Sequence, residues 1–570
     1  MKKTVLTRML AVICLLALIL SGCSAAKPTE NATDTTPAQS GDTTTTEASS
    51  TESADPFGVY DPAITFTYAY RTQPIIDYPE GDSLDNNVWS REIQKYGINM
   101  DVIWAADDKT GDYDTKLTVA MASGELPDVF MCTSYNTMYT AYEAGLIADI
   151  TDVFNEYASD YVKDLYENNK DLFQSSFIDG KMVAIPALGT PIEATGTFLW
   201  IRQDWMDNLG LNAPETFEDV IEIARAFTYD DPDGNGKNDT YGLGLQKDFF
   251  NNSFGDIMGV AAAYGTPTLS RTDNDMWFKD TDGTITNGSI QPGMKEALQT
   301  LQNMYADGLL DPEFGVKDGS ALAEDVVSGK IGMYFGYSGC NFYPNTTLYN
   351  ADHNAVFKPY AVPAAEGHEV LIGNYWPVQG YYMVSSSYEH PEVLIKLLNI
   401  NKSINNENIT KETSAMYTDN SVWMLAPVQT SAPTLFPQAE EIWAAFENND
   451  GGVNISSNEC RERYNLVADF IQTGNNDNYQ YGWWGQFAED GATSIIVNDY
   501  IPNNKQLLTT VIGVQPDSMI EKLPNLLDMR EQAFTEIIKG GNIDLFDSFV
   551  ENWKNAGGAE IMNDLTEIYG

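Results

Sequence analysis

The run Asp231-Pro232-Asp233-Gly234-Asn235-Gly236-Lys237-Asn238-Asp239 carries the sharpest local chemistry of the chain. Side-chain oxygens recur at every second position, and glycine stands where the loop must turn. That is the spacing by which a backbone wraps a hard cation such as Ca²⁺. The run matches positions 1, 3, 5, 6 and 9 of an EF-hand loop. The residue at position 12 is Gly242, so the bidentate Glu of a full EF-hand is missing. A solvated, Asx-rich turn without metal is the alternative. A second chemistry is suggested by 11 Trp, 31 Tyr and 24 Phe. Sugar rings expose C–H patches that pack on aromatic faces, and their hydroxyls need directed polar partners. Trp104, Tyr135 with Asn136, Trp200 with Arg202, Trp376 with Gln379 and Tyr381, and the pair Trp483 and Trp484 combine these types within short segments. A Trp in a large protein is usually partly buried core; Trp205, Trp443 and Trp553, at helical positions, are assigned there. The expectation is that most of the named loop aromatics line one cleft.

Catalysis finds little support. A glycoside hydrolase needs only two carboxylates, and 82 acids make such pairs inevitable, so their number decides nothing. The isolated candidates Glu193 and Glu489 read better as polar ligands or surface. The three His have no metal spacing, and no Gly-x-Ser-x-Gly, His-Glu-x-x-His or phosphate loop occurs. No catalytic residue is expected.

The elements that must position these residues alternate between strand and helix. Ala63–Tyr70 and Asn99–Trp104 alternate like strands, Asp128–Met131 is a short buried strand, and Lys116–Ala122 and Thr137–Ala144 are helical. This order implies βα units and a largely parallel sheet. Loops carrying Trp104 and Tyr135 would then leave the carboxyl ends of strands, where ligands of α/β sheets lie. Thr216 with Asp219 forms a variant capping box for a helix burying Val220, Ala224 and Phe227. The C-terminal third is mostly helical, with Leu545, Phe549 and Trp553 on one stripe.

Lys2, Lys3 and Arg8, an apolar run from Met9 to Leu20, and Leu20-Ser21-Gly22-Cys23 make residues 1–22 a secretory signal peptide. The apolar run is too short to span a bilayer. Cys23 after Leu-Ser-Gly resembles a bacterial lipobox, in which that Cys carries the lipid; ordinary secretion with an incidental Cys is the alternative. Residues 23–56 hold no aromatic, Leu, Ile, Val or Met and form a disordered tether with a reach of roughly 30 Å. The formal net charge of −50 disfavours nucleic acid and anionic lipid as partners. Cys132, Cys340 and Cys460 are too few and too scattered for a disulfide framework, and three buried free thiols are expected.

Several segments together resemble a known family. They are Ala122-Ser-Gly-Glu-Leu-Pro-Asp128, Gly145-Leu-Ile-Ala-Asp-Ile150, Leu199-Trp-Ile-Arg-Gln-Asp-Trp205 with Leu209-Gly-Leu211 and Pro214-Glu-Thr-Phe217, Ser328-Gly-Lys-Ile-Gly-Met333, and Glu531–Ile538 running into Phe546–Trp553. In this order, behind a lipobox, they are similar to the extracellular solute-binding lipoproteins of carbohydrate ABC importers, in the long Gram-positive branch related to alginate-oligosaccharide-binding proteins. The resemblance implies an α/β, two-lobed, periplasmic-binding-protein-like (type II) fold with a hinge and a helix-rich C-terminal part. It implies capture of an oligosaccharide between the lobes and delivery to ABC permease subunits, with no enzymatic step. The protein would be a monomer outside the cytoplasmic membrane, held there by its lipid alone. It divides the body into lobe 1 at 57–190 and 319–380, and lobe 2 at 191–318 with 381–570. Trp200, Arg202 and Trp376 would lie near crossings between lobes. Related calcium loops imply Asp231, Asp233, Asn235 and Asp239 as side-chain ligands and Lys237 as a carbonyl ligand, with Thr240 where some relatives carry an acid. A peptide-binding lipoprotein, or a cell-surface glycoside hydrolase, is the alternative function.

Overall fold

The computed structural model describes residues 54–570 other than 73–77, 108–110, 190–195, 252, 271–274, 408–421, 431–434 and 478. The signal peptide, Cys23, nearly all of the tether, and Glu193 lie outside the described residues. Strands β1 (Ile64–Thr72), β2 (Ile98–Asp107), β3 (Val129–Cys132), β4 (Phe177–Ile178), β5 (Lys181–Met182), β6 (Ile185–Leu188) and β7 (Phe198–Arg202) come first. Then come β8 (Tyr241–Leu243), β9 (Trp277–Lys279), β10 (Ile285–Asn287), β11 (Ile331–Gly336), β12 (Phe357–Tyr360), β13 (Ile372–Asn374), β14 (Val378–Val384) and β15 (Gln506–Leu508).

Two sheets organise the body. The first has the order β2-β1-β3-β14-β6, with β1 parallel to β2 and β3 and with β14 antiparallel to β3 and β6. Period-2 alternation splits its side chains between two cores. Phe66, Tyr68, Tyr70, Val129, Met131, Tyr382 and Val384 face one side, against the helix Val393–Lys402. Ala69, Phe130, Cys132, Tyr381 and Met383 face the other, against the helices Asp112–Ser123 and Tyr135–Glu143. Asp128 fastens β3 to β1: its carboxylate accepts from the Thr67 backbone N–H at 2.7 Å and hydroxyl at 2.8 Å. The second sheet, β12-β7-β11-β8, has β7 antiparallel to β11 and β12, and β11 parallel to β8. Both sheets are therefore mixed, not largely parallel. The chain leaves the first sheet and returns to it through β14, which enters reversed.

That return also differs from the expected segment order. β11 and β12, placed by sequence with the first lobe, pair with β7 in the second sheet. Residues 381–384 of β14 and the helix after it, on the second-lobe side of the expected boundary at 380, pack in the first sheet and its core. Pairing between distant strands decides membership, and it leaves no mark on either segment alone. Local features agree better with expectation. The Thr216–Asp219 capping box is present, and the helix Phe217–Tyr229 buries Val220, Ala224 and Phe227. Cys132, Cys340 and Cys460 are buried free thiols.

The C-terminal helices Asp517–Ile538, Leu545–Trp553 and Ala559–Tyr569 close the second core, with Trp553 6.0 Å from Trp277 and Phe534 5.3 Å from Phe549. One buried ion pair ties them in. Arg530, 0% exposed, sits 2.9 Å from Asp275, donates to Ser289 Oγ at 3.1 Å and lies 3.7 Å from the Phe250 ring centroid. Removing one partner of such a pair strands the other charge, so Arg530→Ala should cost about 3–5 kcal/mol in chemical denaturation. Arg225→Ala, which breaks an exposed pair with Asp307, should cost about 1 kcal/mol or less. Asp325 is held between Lys317 at 2.6 Å and Lys330 at 2.7 Å. Burial opposes its ionisation, but the two ammonium groups win and hold its carboxyl below the usual range. A depressed folded-state pKa stabilises above the unfolded value, near 4, and that contribution fades as pH falls through the folded value. Asp325→Asn should therefore lower the melting temperature at pH 7, and the difference should shrink at pH 3.

Candidate functional site

The first sheet sets the geometry. The carboxyl ends of β1, β2, β3 and β6 and the start of β14 lie along one edge, because β14 runs opposite to its neighbours. Trp104, Tyr135, Asn136, Gln379 and Tyr381 gather there. β2 carries one extra residue: Tyr68 pairs with Val102 but Ala69 with Trp104. This bulge at Ile103 re-aims the end of the strand and seats half-buried Trp104 against Tyr113, centroids 5.0 Å apart. Lys116 Nζ lies 5.8 Å from the Trp104 ring centroid. Tyr135 opens the helix Tyr135–Glu143, with its ring 6.1 Å from that of Tyr381 and edge-on to it. Gln379 is exposed and crosses Gly189 so closely that a Cβ there would fall 2.2 Å from its side chain.

Facing this edge are segments of the second body. Asn136 Oδ1 accepts from the Gln515 backbone N–H at 3.4 Å. Gly513 lies beside the Tyr135 ring, where a Cβ would stand 3.6 Å away. Trp376 packs on the first core and donates from Nε1 to the Thr509 carbonyl at 2.9 Å. It sits between β13, whose Ile372 belongs to the second core, and β14 of the first sheet.

The other candidates are elsewhere. Trp200 lies in the middle of β7, 0% exposed, with Nε1 donating to the Gly336 carbonyl at 3.1 Å. It is core, not a loop residue: β7 is an inner strand between β11 and β12, and the Trp200 side chain packs in the second core. Arg202 is buried at the far end of β7, paired with Asp204 and stacked 4.6 Å from the Trp205 centroid. Trp483 and Trp484 belong to the helix Gln480–Phe487 rather than to a loop. Trp483 packs 4.8 Å from Phe342 with Arg463 5.0 Å from its ring, and Trp484 packs 5.2 Å from Phe470. Trp205 and Trp553 are core as expected; Trp443 is half-buried in the helical cluster and donates to the Phe487 carbonyl at 2.8 Å. Glu489 is exposed.

Sequence reading missed a polar notch beside the crossings. It is lined by Gly196, Thr197, Asp256, Thr268, Tyr337 and Asn374, among others, with a free volume of ≈ 10 Å³, about what one water or hydroxyl oxygen fills. Asp256 is 3% exposed. Burial raises its pKa to about 7, against a lowering by the Met258 N–H that donates to it. Its signal was faint but present: it is the only charged residue from Phe249 to Ser270. A larger hollow of ≈ 810 Å³, between Pro214–Glu215, 361–371 and Asn503–Lys505, is lined by none of the sequence candidates.

The oxygen-rich loop directly follows the helix Phe217–Tyr229. Asp231, Gly234 and Gly236 adopt left-handed backbone. The Gly236 N–H donates to Asp231 Oδ2 at 3.0 Å and the Lys237 N–H to Asn235 Oδ1 at 2.8 Å. Asn235 Nδ2 donates to Asp233 at 2.7 Å and Asp239 at 3.2 Å. Asp231 Oδ1 is buried with no hydrogen-bond partner. Among the described residues no three carboxylate, imidazole or thiolate groups are gathered as a metal cluster; convergence here runs through the Asn235 amide. An orphaned, buried carboxylate oxygen in a ring of oxygens fits a hard cation.

The model for bacterial extracellular solute-binding proteins matches residues 79–400. Lipoprotein LipO of Bacillus subtilis (strain 168) is 24% identical over 510 residues, 86% of this chain and 90% of that one. The polygalacturonan/rhamnogalacturonan-binding protein YtcQ of the same strain is 29% identical over 249 residues, 43% of this chain and 46% of its own. The fructooligosaccharide ABC transporter substrate-binding protein FusA of Streptococcus pneumoniae serotype 4 (strain ATCC BAA-334 / TIGR4) is 23% identical over 447 residues, 74% of this chain and 80% of that one. Its structure with kestose superposes with a TM-score of 0.57 at 17% identity, covering 89% of this chain and 99% of FusA. FusA has also been solved as an EF-hand mutant with fructo-nystose. The likeness establishes the two-lobed, type II periplasmic-binding-protein-like fold. By the span of that family match, the chain belongs to the bacterial extracellular solute-binding proteins.

Proposed function

We propose that this chain captures an oligosaccharide between its two lobes and presents it to the permease of an ABC importer, without chemical change to the sugar. The observation that carries the reading is the strand-end edge, where Trp104, Tyr135, Asn136 and Gln379 combine aromatic faces with amides and meet segments of the second body. This is the mixture a hydroxylated ring requires. Relatives named for fructooligosaccharide and for polygalacturonan/rhamnogalacturonan binding support it. The strand pairing and the cores favour lobe 1 at 57–188 with 378–430, and lobe 2 at 198–374 with 439–570. The site residues are then Trp104, Tyr135, Asn136, Trp376, Gln379 and Tyr381. Cys23 is the proposed lipid attachment, which places the body outside the membrane.

The loop at 231–239 is proposed to hold Ca²⁺ through Asp231, Asp233, Asn235 and Asp239 with the Lys237 carbonyl. The ion supplies positive charge that pins the loop and takes no part in any reaction.

A ligand that binds only the folded state raises stability, by about 2.7 kcal/mol at a hundredfold excess over Kd. A thermal-shift panel of oligosaccharides and peptides should therefore show melting raised by a glycan; a rise with a peptide pool and with no glycan would reverse the assignment. EDTA should lower the melting temperature of the wild type and leave that of Asp231→Ala unchanged, and re-added Ca²⁺ should restore only the wild type. Indifference of the wild type to EDTA would remove calcium from the account.

A further inference from the structure

Three buried polar side chains meet in the notch beside the crossings with bonding capacity that the protein does not use. Thr197 and Thr268, 5% and 2% exposed, have hydroxyl oxygens with no hydrogen-bond partner. Asp256 accepts only one hydrogen bond from the described residues, from the Met258 N–H at 3.0 Å. Buried polar groups are almost always partnered, so the missing partner must come from whatever fills the notch. Its free volume of ≈ 10 Å³ admits one oxygen. Among the described residues no Lys, Arg or His lines it; its remaining titratable groups are the phenols of Tyr337 and Tyr375, with the Cys340 thiol behind. An anionic group there would meet the Asp256 carboxylate, with no counter-charge among the described lining residues. Tyr337 is 41% exposed at the rim and offers a face for a sugar ring.

The place matters as much as the composition. Gly196 and Thr197 lead into β7, and Gly373, Asn374 and Tyr375 lead out of β13, so the notch touches two of the chain segments that pass between the lobes. An occupant held there bears directly on the segments that must move when the lobes close.

We propose that this notch reads one hydroxyl of a neutral sugar unit, with Asp256 as its acceptor and Thr197 and Thr268 completing the contact, and that Asp256 is a specificity-determining residue of the cleft. The inference rests on the oligosaccharide reading above and deepens it, by requiring that the unit entering the second lobe be uncharged and present a free hydroxyl.

The test is calorimetric titration of the intact mature chain with 1-kestose, nystose, maltotetraose and xylotetraose at pH 5.5 and 8.5. Wild type is compared with Asp256→Asn and Thr268→Val, each first checked for a cooperative melt. An ionised acceptor makes a charge-assisted bond, so wild-type affinity for the bound glycan should rise about tenfold from pH 5.5 to 8.5. Asp256→Asn keeps the shape and should flatten that profile, binding about tenfold more weakly at pH 8.5, and Thr268→Val should weaken binding at both values. If a variant melts poorly, the wild-type pH profile alone decides. A flat wild-type profile, or binding by Asp256→Asn equal to wild type at pH 8.5, overturns the role of Asp256 while leaving the oligosaccharide reading intact. Failure of the wild type to bind any of the four, with a peptide pool raising its melting temperature, overturns both.

Discussion

Within a few residues the chain must leave one hydrophobic core and enter another, and it does so with very little backbone. Leu188 is buried in the first core and Phe198 in the second; Ile372 is in the second, and Val378 opens the strand that returns to the first. Each lobe is built on its own mixed sheet, and among the described residues no strand is shared between the two. A change in the angle between the sheets therefore disturbs few packed contacts, and its cost falls on the crossings. Trp376 stands at this boundary, with its ring on one core and its indole N–H bonded to a carbonyl of the other body.

This arrangement explains where recognition can occur. Strand order brings the carboxyl ends of the first sheet to the same edge as the crossings, and the polar notch lies beside those crossings on the second side. A ligand spanning the two would gain contacts in the closed form that the open form lacks. Only such a difference in affinity can shift the population of states. The oxygen-rich loop at 231–239 follows the C-terminal end of a helix capped by its own Thr216–Asp219 pair.

How far this could be seen in advance varied with the range of the interaction. β1, β2, β3, the helix after Thr216 and the stripe of Phe549 and Trp553 were legible because periodicity and capping are local. Membership of β11, β12 and β14 was not, since antiparallel and parallel partners far away along the chain decide it. Trp104 and Tyr135 were found at the sheet edge because strand ends are predictable. Trp200 and Arg202 lie away from the edge, and a Trp-x-Arg pattern does not reveal that β7 is an inner strand whose side chains are buried. Trp483 and Trp484 looked like loop residues between glycines, yet those glycines sit inside a helix where Gly482 and Gly485 admit Phe342 and Asn341. Asp256 went unnoticed because a single acid in an apolar run has no pattern; only its neighbours in space give it meaning.

Enclosure of a glycan requires the two lobes to turn about these crossings. Small-angle X-ray scattering of the mature chain, with and without an oligosaccharide shown by calorimetry to bind, measures this directly. The radius of gyration should fall at saturation and recover when the sugar is removed. An unchanged scattering profile at full occupancy would contradict that enclosure.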